Sequence, residues 1–497
     1  MDPTFTYTSY LKTQQSFPSF LFPLSISNYS LLLFPYCPIT YLSCLYLISA
    51  AGRQQAPTQY KIYNYNNMPP PPSSILIVGS GVFGLSTAYS LSTNPLYAHA
   101  TLTLIDRSPF PAPDSSSIDS SRIIRSDYSD PAYAALAASA QHVWRDASPG
   151  GLGEGRYSES GLVLVADPAR DAYVRDSLEN VMSLQEDGAV RELKSRREID
   201  DVVGTGGGSG EWGYVNWRSG WADAEAGMRW LRARVEGTGR VQFVCAEVSG
   251  LVQEGKRVVG VRLRNGSVKS AELVILAAGA WTGRLVDLRG RATATGQVLV
   301  YLDLTAEEQQ ELGKMPVLLN MSTGLFIIPP RNRVLKVARH AYGYSNPTKI
   351  QHPDGSGELI EVSLPRTAVD DPSQWVPREG EDACRDALRE MIPALGNRPF
   401  TKSRVCWYSD TPTGDFLITY HPELEGLFLA TGGSGHGYKF LPVIGDEIVN
   451  CIGGQCPAEF KQKWEWPRTP VENVVTEDGS RGGRPGLTLR EEQRKGS

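Results

Sequence analysis

The chain has 497 residues, a formal net charge of −5 and seven cysteines. That length exceeds what a single hydrophobic core supports, so two domains plus terminal segments are expected. The modest acidic balance gives no reason to expect a nucleic-acid or acidic-membrane partner, and an odd cysteine count without C-x-x-C or Cys/His zinc spacing argues for a reducing compartment and against a structural metal.

Residues 1–67 are unusual: no charge occurs between Lys12 and Arg53, and 30–51 are largely apolar. A membrane span needs about 20 consecutive apolar residues, whereas Pro35, Pro38 and several hydroxyl side chains interrupt this run. No basic region precedes a short apolar core, so a signal peptide fits poorly. The expectation is an extension that is disordered or not translated, with the chain proper starting at Met68. A membrane anchor through 30–51 is the alternative.

Ile75-Leu76-Ile77-Val78 then reads as a buried parallel strand, Gly79-Ser80-Gly81 as a turn, and Val82 onward as a helix with Gly84 on its first turn. This is G-x-G-x-x-G in the context it requires. Gly79 allows the turn, Gly81 lets the backbone approach a pyrophosphate, and Gly84 lets helix and strand pack closely, with phosphates favoured at the helix N-terminus. Residues 101–105 alternate as a second strand ending at Asp106, where a carboxylate would meet a ribose hydroxyl, with Arg107 beside it. Dinucleotide binding is expected, and Val82 and Phe83 lie at the same turn.

A serine-rich stretch at 115–121 leads into Arg122-Ile123-Ile124-Arg125, followed by an alanine-rich helix over 131–144 and a strand within 155–165. If helical, Arg122 and Arg125 share a face and could hold a carboxylate bidentately; a solvated basic turn is the alternative. The glycine-rich 204–210 reads as a flexible loop, 222–234 as an amphipathic helix, and 241–269 as a meander of short strands. A buried strand at 273–278 closes on Gly279-Ala280-Trp281, and 292–339 is again β-rich.

Lys336 lies inside a strand-like apolar run with His340 four residues on, so it is paired, functional or exposed on an edge strand. Residues 351–379 read as a long surface excursion, with a helix over 382–391 after it. Cys406 reads as a buried thiol. A last buried strand at 427–431 runs into Gly432-Gly433-Ser434-Gly435-His436-Gly437, which would bring His436 and Lys439 near the cofactor. From Arg468 the chain is polar and Gly/Pro-rich and reads as disordered.

The nucleotide-binding unit is thus left after its first βαβ unit and revisited near 275 and 430. No second strand-borne G-x-G-x-x-G exists for a nicotinamide. That interleaving suits FAD, with dioxygen as the simplest electron acceptor.

In order along the chain, Gly79-x-Gly81-x-x-Gly84, Ser121-Arg122-Ile123-Ile124-Arg125, Ser219-Gly220-Trp221-Ala222-Asp223-Ala224, Ala278-Gly279-Ala280-Trp281, Ala294-Thr295-Gly296-Gln297, Lys336-x-x-x-His340, Cys406-Trp407-Tyr408-x-x-Thr411-Pro412 and Gly435-His436-Gly437-Tyr438-Lys439 resemble the monomeric sarcosine oxidase family. The likeness is to its fungal fructosyl-amino-acid, saccharopine and pipecolate oxidase branch in particular, and covers the chain from Ser74 to Cys456. It implies an α/β fold, with a discontinuous Rossmann-like FAD-binding domain of glutathione-reductase type (68–155, 222–290, 410–465). A mixed-β-sheet substrate domain of amino-acid-oxidase type (156–221, 291–409) and a tail (466–497) complete the expected organisation.

The resemblance also implies residue roles. Cys406 matches the cysteine bonded to the 8α-methyl of FAD, Lys336 the lysine that helps dioxygen react, and Arg125 with Lys439 the clamp on a substrate carboxylate. Arg122 matches the arginine beside the flavin, and His340 and Tyr408 line the substrate cavity. Ser121, Gly435, His436 and Gly437 belong to cofactor-binding motifs. A monomeric oxidase of a secondary-amine amino acid follows, releasing hydrogen peroxide and located in cytoplasm or peroxisome. The chain ends Lys495-Gly496-Ser497, without the peroxisomal tripeptide of many fungal members, and Trp407 is a bulky neighbour to the flavin cysteine. A dehydrogenase with a non-oxygen acceptor, a tailoring oxidase of an aromatic N-methyl amino acid, and a flavin-dependent binding protein are the rival readings.

Overall fold

The computed structural model describes residues 70–185, 188–372 and 376–495. The expected extension 1–67 and the alternative anchor at 30–51 lie outside the described residues. Among the described residues no helix is long and apolar enough to cross a membrane.

The glycine-rich segment folds as its spacing predicts. Strand β1 (Ser74–Val78) leads to helix α1 (Val82–Thr93), whose N-cap is Gly81, and strand β2 (Thr101–Asp106) returns parallel to β1 with Ile77 opposite Leu104. Gly79 has a φ of +106°, and a Cβ there would stand 2.4 Å from the Ala277 carbonyl oxygen. A Cβ at Gly84 would stand 1.9 Å from the Gly79 carbonyl oxygen. The first glycine is required by the turn and the second by the contact of helix with turn.

Around β1 the chain assembles a six-stranded sheet in the order Leu417–Tyr420, Leu427–Thr431, Leu273–Leu276, β1, β2, Val241–Cys245. All neighbours are parallel except Leu417–Tyr420, which is antiparallel to Leu427–Thr431. Leu273–Leu276 and Leu427–Thr431 are buried throughout, as unbroken apolar strands in a parallel sheet covered on both faces should be. The helix Ile444–Ile452 packs on α1, where the Ser86 hydroxyl donates to the Leu441 carbonyl and accepts from the Gly445 amide.

The second major layer is a ten-stranded mixed sheet. Its long strand Thr293–Asp303 pairs antiparallel with Val334–Arg339 and with Lys402–Asp410. In that register Lys336 lies opposite Tyr301, Cys406 opposite Gln297, and Tyr408 opposite Thr295. A short strand β3 (Arg122–Ile124) joins Gly220–Ala222 and Tyr157–Ser158 in a small antiparallel sheet. Helix α2 (Pro131–Trp144) follows with Asp130 as its cap, accepting from the amides of Ala132 and Tyr133.

The structure departs from the sequence reading in several places. β3 is extended, so Arg122 and Arg125 do not share a helix face. Val241–Cys245 joins the parallel sheet beside β2, and the antiparallel meander begins only at Val248. The 204–210 loop is packed: Gly204 ends the helix Arg196–Val203, and a Cβ at Gly207 would stand 2.1 Å from the Glu390 carbonyl oxygen.

Residues 351–379 are a hairpin partner (Leu359–Ser363 on Pro347–Gln351) and then a segment that walls the larger cavity described below, with the next helix starting at Arg378. The tail is docked through Lys495: Leu487–Thr488 pairs in parallel with Tyr344–Ser345, Gly482 bridges Ala341, and Arg481 is 1% exposed. Composition misleads there because Arg481, whose charge would keep a tail in water, pairs with buried Asp410 at 2.7 Å.

Candidate active site

Two cavities with shared walls lie where these layers meet. The larger, about 710 Å³, is lined by Gly79, Gly81, Val82 and Phe83 from the glycine turn, by Asp106 and Arg107, and by Arg122, Trp407, Tyr408, Gly435 and Gly437. The smaller, about 80 Å³, is lined by Arg125, Lys336, His340, Cys406, His436 and Lys439 among others. Arg122, Tyr408, Gly435 and Tyr438 face both.

The larger cavity fits a dinucleotide. Bare backbone at Gly79 and Gly81 opens onto it, and a Cβ at Gly81 would crowd the Ser117 hydroxyl at 3.1 Å. Asp106 closes β2, and its carboxylate accepts from the Ser80 amide (2.7 Å) and hydroxyl (2.8 Å), which pins the turn to the strand end. Arg107 lies 4.5 Å from the Trp281 ring centroid and pairs with Asp114. Trp407 is 1% exposed and donates from its indole nitrogen to the Arg366 carbonyl (3.0 Å), which ties the 364–371 segment to the cavity wall.

At the wall between the cavities sits a buried charge cluster. Lys336 lies on a central strand and its side chain is 2% exposed, so the edge-exposure alternative is excluded. Its ammonium donates to the Asp119 carboxylate (3.2 Å) and to the Ser121 carbonyl (2.5 Å). Asp119 also accepts from Arg122, from the Tyr301 hydroxyl (2.8 Å) and from the Ser120 amide (2.7 Å). Arg122 Nη2 reaches the Ser116 carbonyl (2.8 Å) and stands 3.8 Å from Cys406 Sγ.

Burial disfavours the charge on each of these groups, and the partners decide the outcome. Burial and then Arg122 push the Lys336 ammonium down to about 8, with Asp119 opposing. Burial also works against the Asp119 carboxylate, but Lys336, Arg122 and Arg404 outweigh it and hold the carboxyl well below its usual range.

Arg125 and Lys439 make the second cluster. Arg125 Nη2 donates to the Tyr173 hydroxyl (3.3 Å), while Nη1 is buried without a partner. Lys439 donates to the Tyr128 hydroxyl (2.7 Å) and the His436 carbonyl (2.9 Å). Among the described residues neither cation has an ion pair; Asp127 instead accepts from Tyr214, Asn216 and Ser219. Burial and then Arg125 hold the Lys439 ammonium well below the ordinary lysine value. Two buried cations with an unpaired guanidinium nitrogen are built to receive an anion.

His436 Nε2 donates to the Gly414 carbonyl (2.8 Å), so Nδ1 accepts from Tyr128 (2.9 Å) and the ring is neutral, as burial and then Lys439 also require.

The structure sorts the residues expected from the sequence. Gly79, Gly81, Val82, Phe83, Asp106, Arg107, Gly435 and Gly437 line the larger cavity, and Arg122 and Tyr408 line both. His436 and Lys439, expected beside the cofactor, line only the smaller cavity. Gly84 acts through helix packing, and Ser121 lines neither cavity, contributing its carbonyl to Lys336. Sequence reasoning missed Asp119, Tyr128 and the tail residues near His340. Asp119 had one signal, a lone acid three residues before Arg122 in a serine run; Tyr128, three beyond Arg125, had none.

The description "DAO: FAD dependent oxidoreductase" matches residues 74–450. Amino acid oxidase imqH of Aspergillus flavus is 33% identical over 80% of this chain and 98% of its own length. Amino acid oxidase fsqB of Aspergillus fumigatus is 32% identical over 77% of this chain and 92% of its own. Among solved structures, the deglycating enzyme fructosamine oxidase (Amadoriase II) of Aspergillus fumigatus superposes with a TM-score of 0.70 at 28% identity, covering 84% of this chain and 95% of that one.

Proposed function

The chain belongs to the DAO family of FAD-dependent oxidoreductases, and on that footing we propose that it is an oxidase of amino acids bearing a secondary amine. The substrates fit the fructosyl, N-methyl, saccharopine or pipecolate classes. One observation carries the reading: Arg125 and Lys439 are buried cations without an ion pair among the described residues, in a cavity that shares walls with the cofactor cavity. A carboxylate there completes their coordination. The small remaining space then sets the substrate nitrogen and its neighbouring C–H against the shared wall, and this positioning is the protein's main contribution.

In this reading the segments 68–155, 222–290 and 410–465 form the FAD-binding domain, and 156–221 with 291–409 the substrate domain. FAD, when bound, supplies the acceptor for two electrons from the C–H next to nitrogen and passes them to dioxygen, leaving an imine and hydrogen peroxide. Gly79, Gly81 and Asp106 would hold its dinucleotide part. Cys406 Sγ is the residue for an 8α-S-cysteinyl link, with Arg122 Nη2 alongside at 3.8 Å. Lys336 places a positive charge in the lining of the small cavity, where negative charge develops as oxygen is reduced.

Two measurements test the reading. Protein denatured in acid and run on a gel under ultraviolet light should carry yellow fluorescence with the polypeptide, absent from Cys406→Ala. Flavin released to the supernatant would leave the FAD fold standing and remove the covalent link. The purified enzyme should release peroxide in air with at least one of an N-methyl aromatic amino acid, a fructosyl amino acid, pipecolate or saccharopine. Flavin bleaching without peroxide would make it a dehydrogenase instead.

A further inference from the structure

The C-terminal stretch 478–483 is built into the wall behind His340. Arg481 donates from Nη2 to Asp410 (2.7 Å) and to the Ser434 carbonyl (2.9 Å), and lies 5.5 Å from the Tyr408 ring centroid. The backbone then runs beside the histidine: the Gly482 amide donates to the His340 carbonyl (3.0 Å) and the Tyr342 amide to the Gly482 carbonyl (3.1 Å). No side chain fits at 482, where a Cβ would stand 1.8 Å from the Thr323 carbonyl oxygen.

The same stretch dictates which ring nitrogen of His340 carries the proton. His340 Nε2 lies 3.2 Å from the Ser480 hydroxyl, which lies 2.7 and 2.8 Å from the two Asp478 carboxylate oxygens. A carboxylate only accepts, so the single Ser480 hydroxyl proton goes to Asp478. Only lone pairs then face His340, which must donate from Nε2. The ring is neutral: burial, then Arg481 and Arg125, push its pKa well below the ordinary value. A neutral imidazole protonated at Nε2 has a bare Nδ1. Among the described residues Nδ1 has no hydrogen-bond partner, and His340 lines the small cavity.

We propose that Asp478 and Ser480 are positioning residues that lock His340 as the Nε2–H tautomer, so that Nδ1 accepts a hydrogen bond from the N–H of the bound secondary amine. The inference rests on the amine-oxidase reading. The N–H is the one donor that every neutral secondary-amine amino acid brings into this cavity once its carboxylate is held by Arg125 and Lys439. No proton is transferred. The bond fixes rotation about the carboxylate anchor and so sets which C–H faces the shared wall. A segment that composition marks as disordered thus completes the substrate site.

The test is long-range nitrogen–proton NMR of the histidine side chains in ¹⁵N-labelled holoenzyme, with His340→Gln used to assign the signals among six histidines. The wild type should show His340 as Nε2–H. Ser480→Ala, and Asp478→Asn should the alanine variant fail to fold, should mix in the Nδ1–H form. An Nδ1–H tautomer in the wild type, or signals unchanged in the folded variant, overturns the proposal. Anaerobic stopped-flow with whichever panel amine bleaches the wild-type flavin should show the limiting reduction rate falling about tenfold in Ser480→Ala, the size of one lost hydrogen bond, with reoxidation by oxygen unchanged; an unchanged reduction rate also overturns it. If no amine bleaches the wild-type flavin, the functional reading fails while the tautomer result still decides whether Asp478 and Ser480 set the ring.

Discussion

The glycine turn and the small cavity are built by opposite means. The turn is local: residues 79–106 supply the bend, the helix start and the closing acid, and its contacts are backbone against backbone at distances that admit no side chain. The small cavity takes Arg125, Lys336, Cys406 and Lys439 from four separate stretches and is held by charge and hydrogen bonds. Steric sites fail completely when changed, whereas electrostatic sites fail by degrees. On the proposed function, the glycine turn decides whether a cofactor binds and the small cavity what is done with it.

The most damaging change should therefore be at the turn. Gly84→Val drives a branched side chain into the Gly79 carbonyl, already 1.9 Å from where a Cβ would lie. Overpacking of this kind costs about 1–3 kcal/mol, and because α1 must shift, the purified protein should contain no flavin by absorbance. A folded Gly84→Val protein with full flavin content would break the contrast between the two regions.

Next in size, Lys439→Met and Arg125→Met should each leave the flavin spectrum intact and raise KM for any carboxylate-bearing amine. Removing one partner of a buried charge contact costs about 2–5 kcal/mol, so KM should rise roughly 30-fold or more. Arg125→Met should be the worse of the two, since burial and the neighbouring Arg125 already weaken the charge on Lys439. A substrate amine lacking the carboxylate should lose the distinction between variant and wild type.

That contrast also governs what could be read from the chain. The β1–α1–β2 unit was legible because its requirements fall at fixed offsets, and Gly79, Gly81, Gly84 and Asp106 carry them openly. Lys336 was legible as an anomaly, a charge inside an apolar strand, but its partner Asp119 is far away in sequence and has no periodicity to mark it. The tail was misread for a physical reason. Asp478, Gly479, Ser480, Arg481, Gly482 and Gly483 have a disordered composition, yet glycine at 482 is demanded by the Thr323 backbone, and Arg481 and Ser480 are partnered across the fold. Close backbone approach and solvent flexibility call for the same residue, and only the partner distinguishes them.

Smaller effects are expected where, on the proposed function, the small cavity acts on oxygen. Lys336→Met should slow reoxidation of reduced flavin by about 100-fold while anaerobic reduction by substrate changes little. In the wild type, burial and then Arg122 lower the ammonium to about 8, so Lys336 is charged below that pH and neutral above it. Reoxidation should therefore slow as pH rises through 8. Reduction should rise with pH, because the substrate amine must be neutral. Steady-state turnover is then bell-shaped, and only its alkaline limb should vanish in Lys336→Met.

The finest test separates the charge on Lys336 from its position. Asp119 accepts from Lys336, Arg122 and Tyr301 at once, and it is the acid that raises the Lys336 pKa against burial. Asp119→Asn keeps a side chain of the same shape that still accepts hydrogen bonds but removes the counter-charge. Lys336 then loses its proton at lower pH, and the alkaline limb of reoxidation should move about one unit toward acid, the scale of a single neighbouring charge. Below the shifted pKa the Asp119→Asn enzyme should match the wild type, since the ammonium is present in both. Were Asp119 only a structural brace, the rate would fall equally at every pH and the limb would stay where it is. A shifted limb with flavin content unchanged shows charge tuned in place. A uniform loss would make the small cavity as sterically strict as the glycine turn and remove the difference drawn between them.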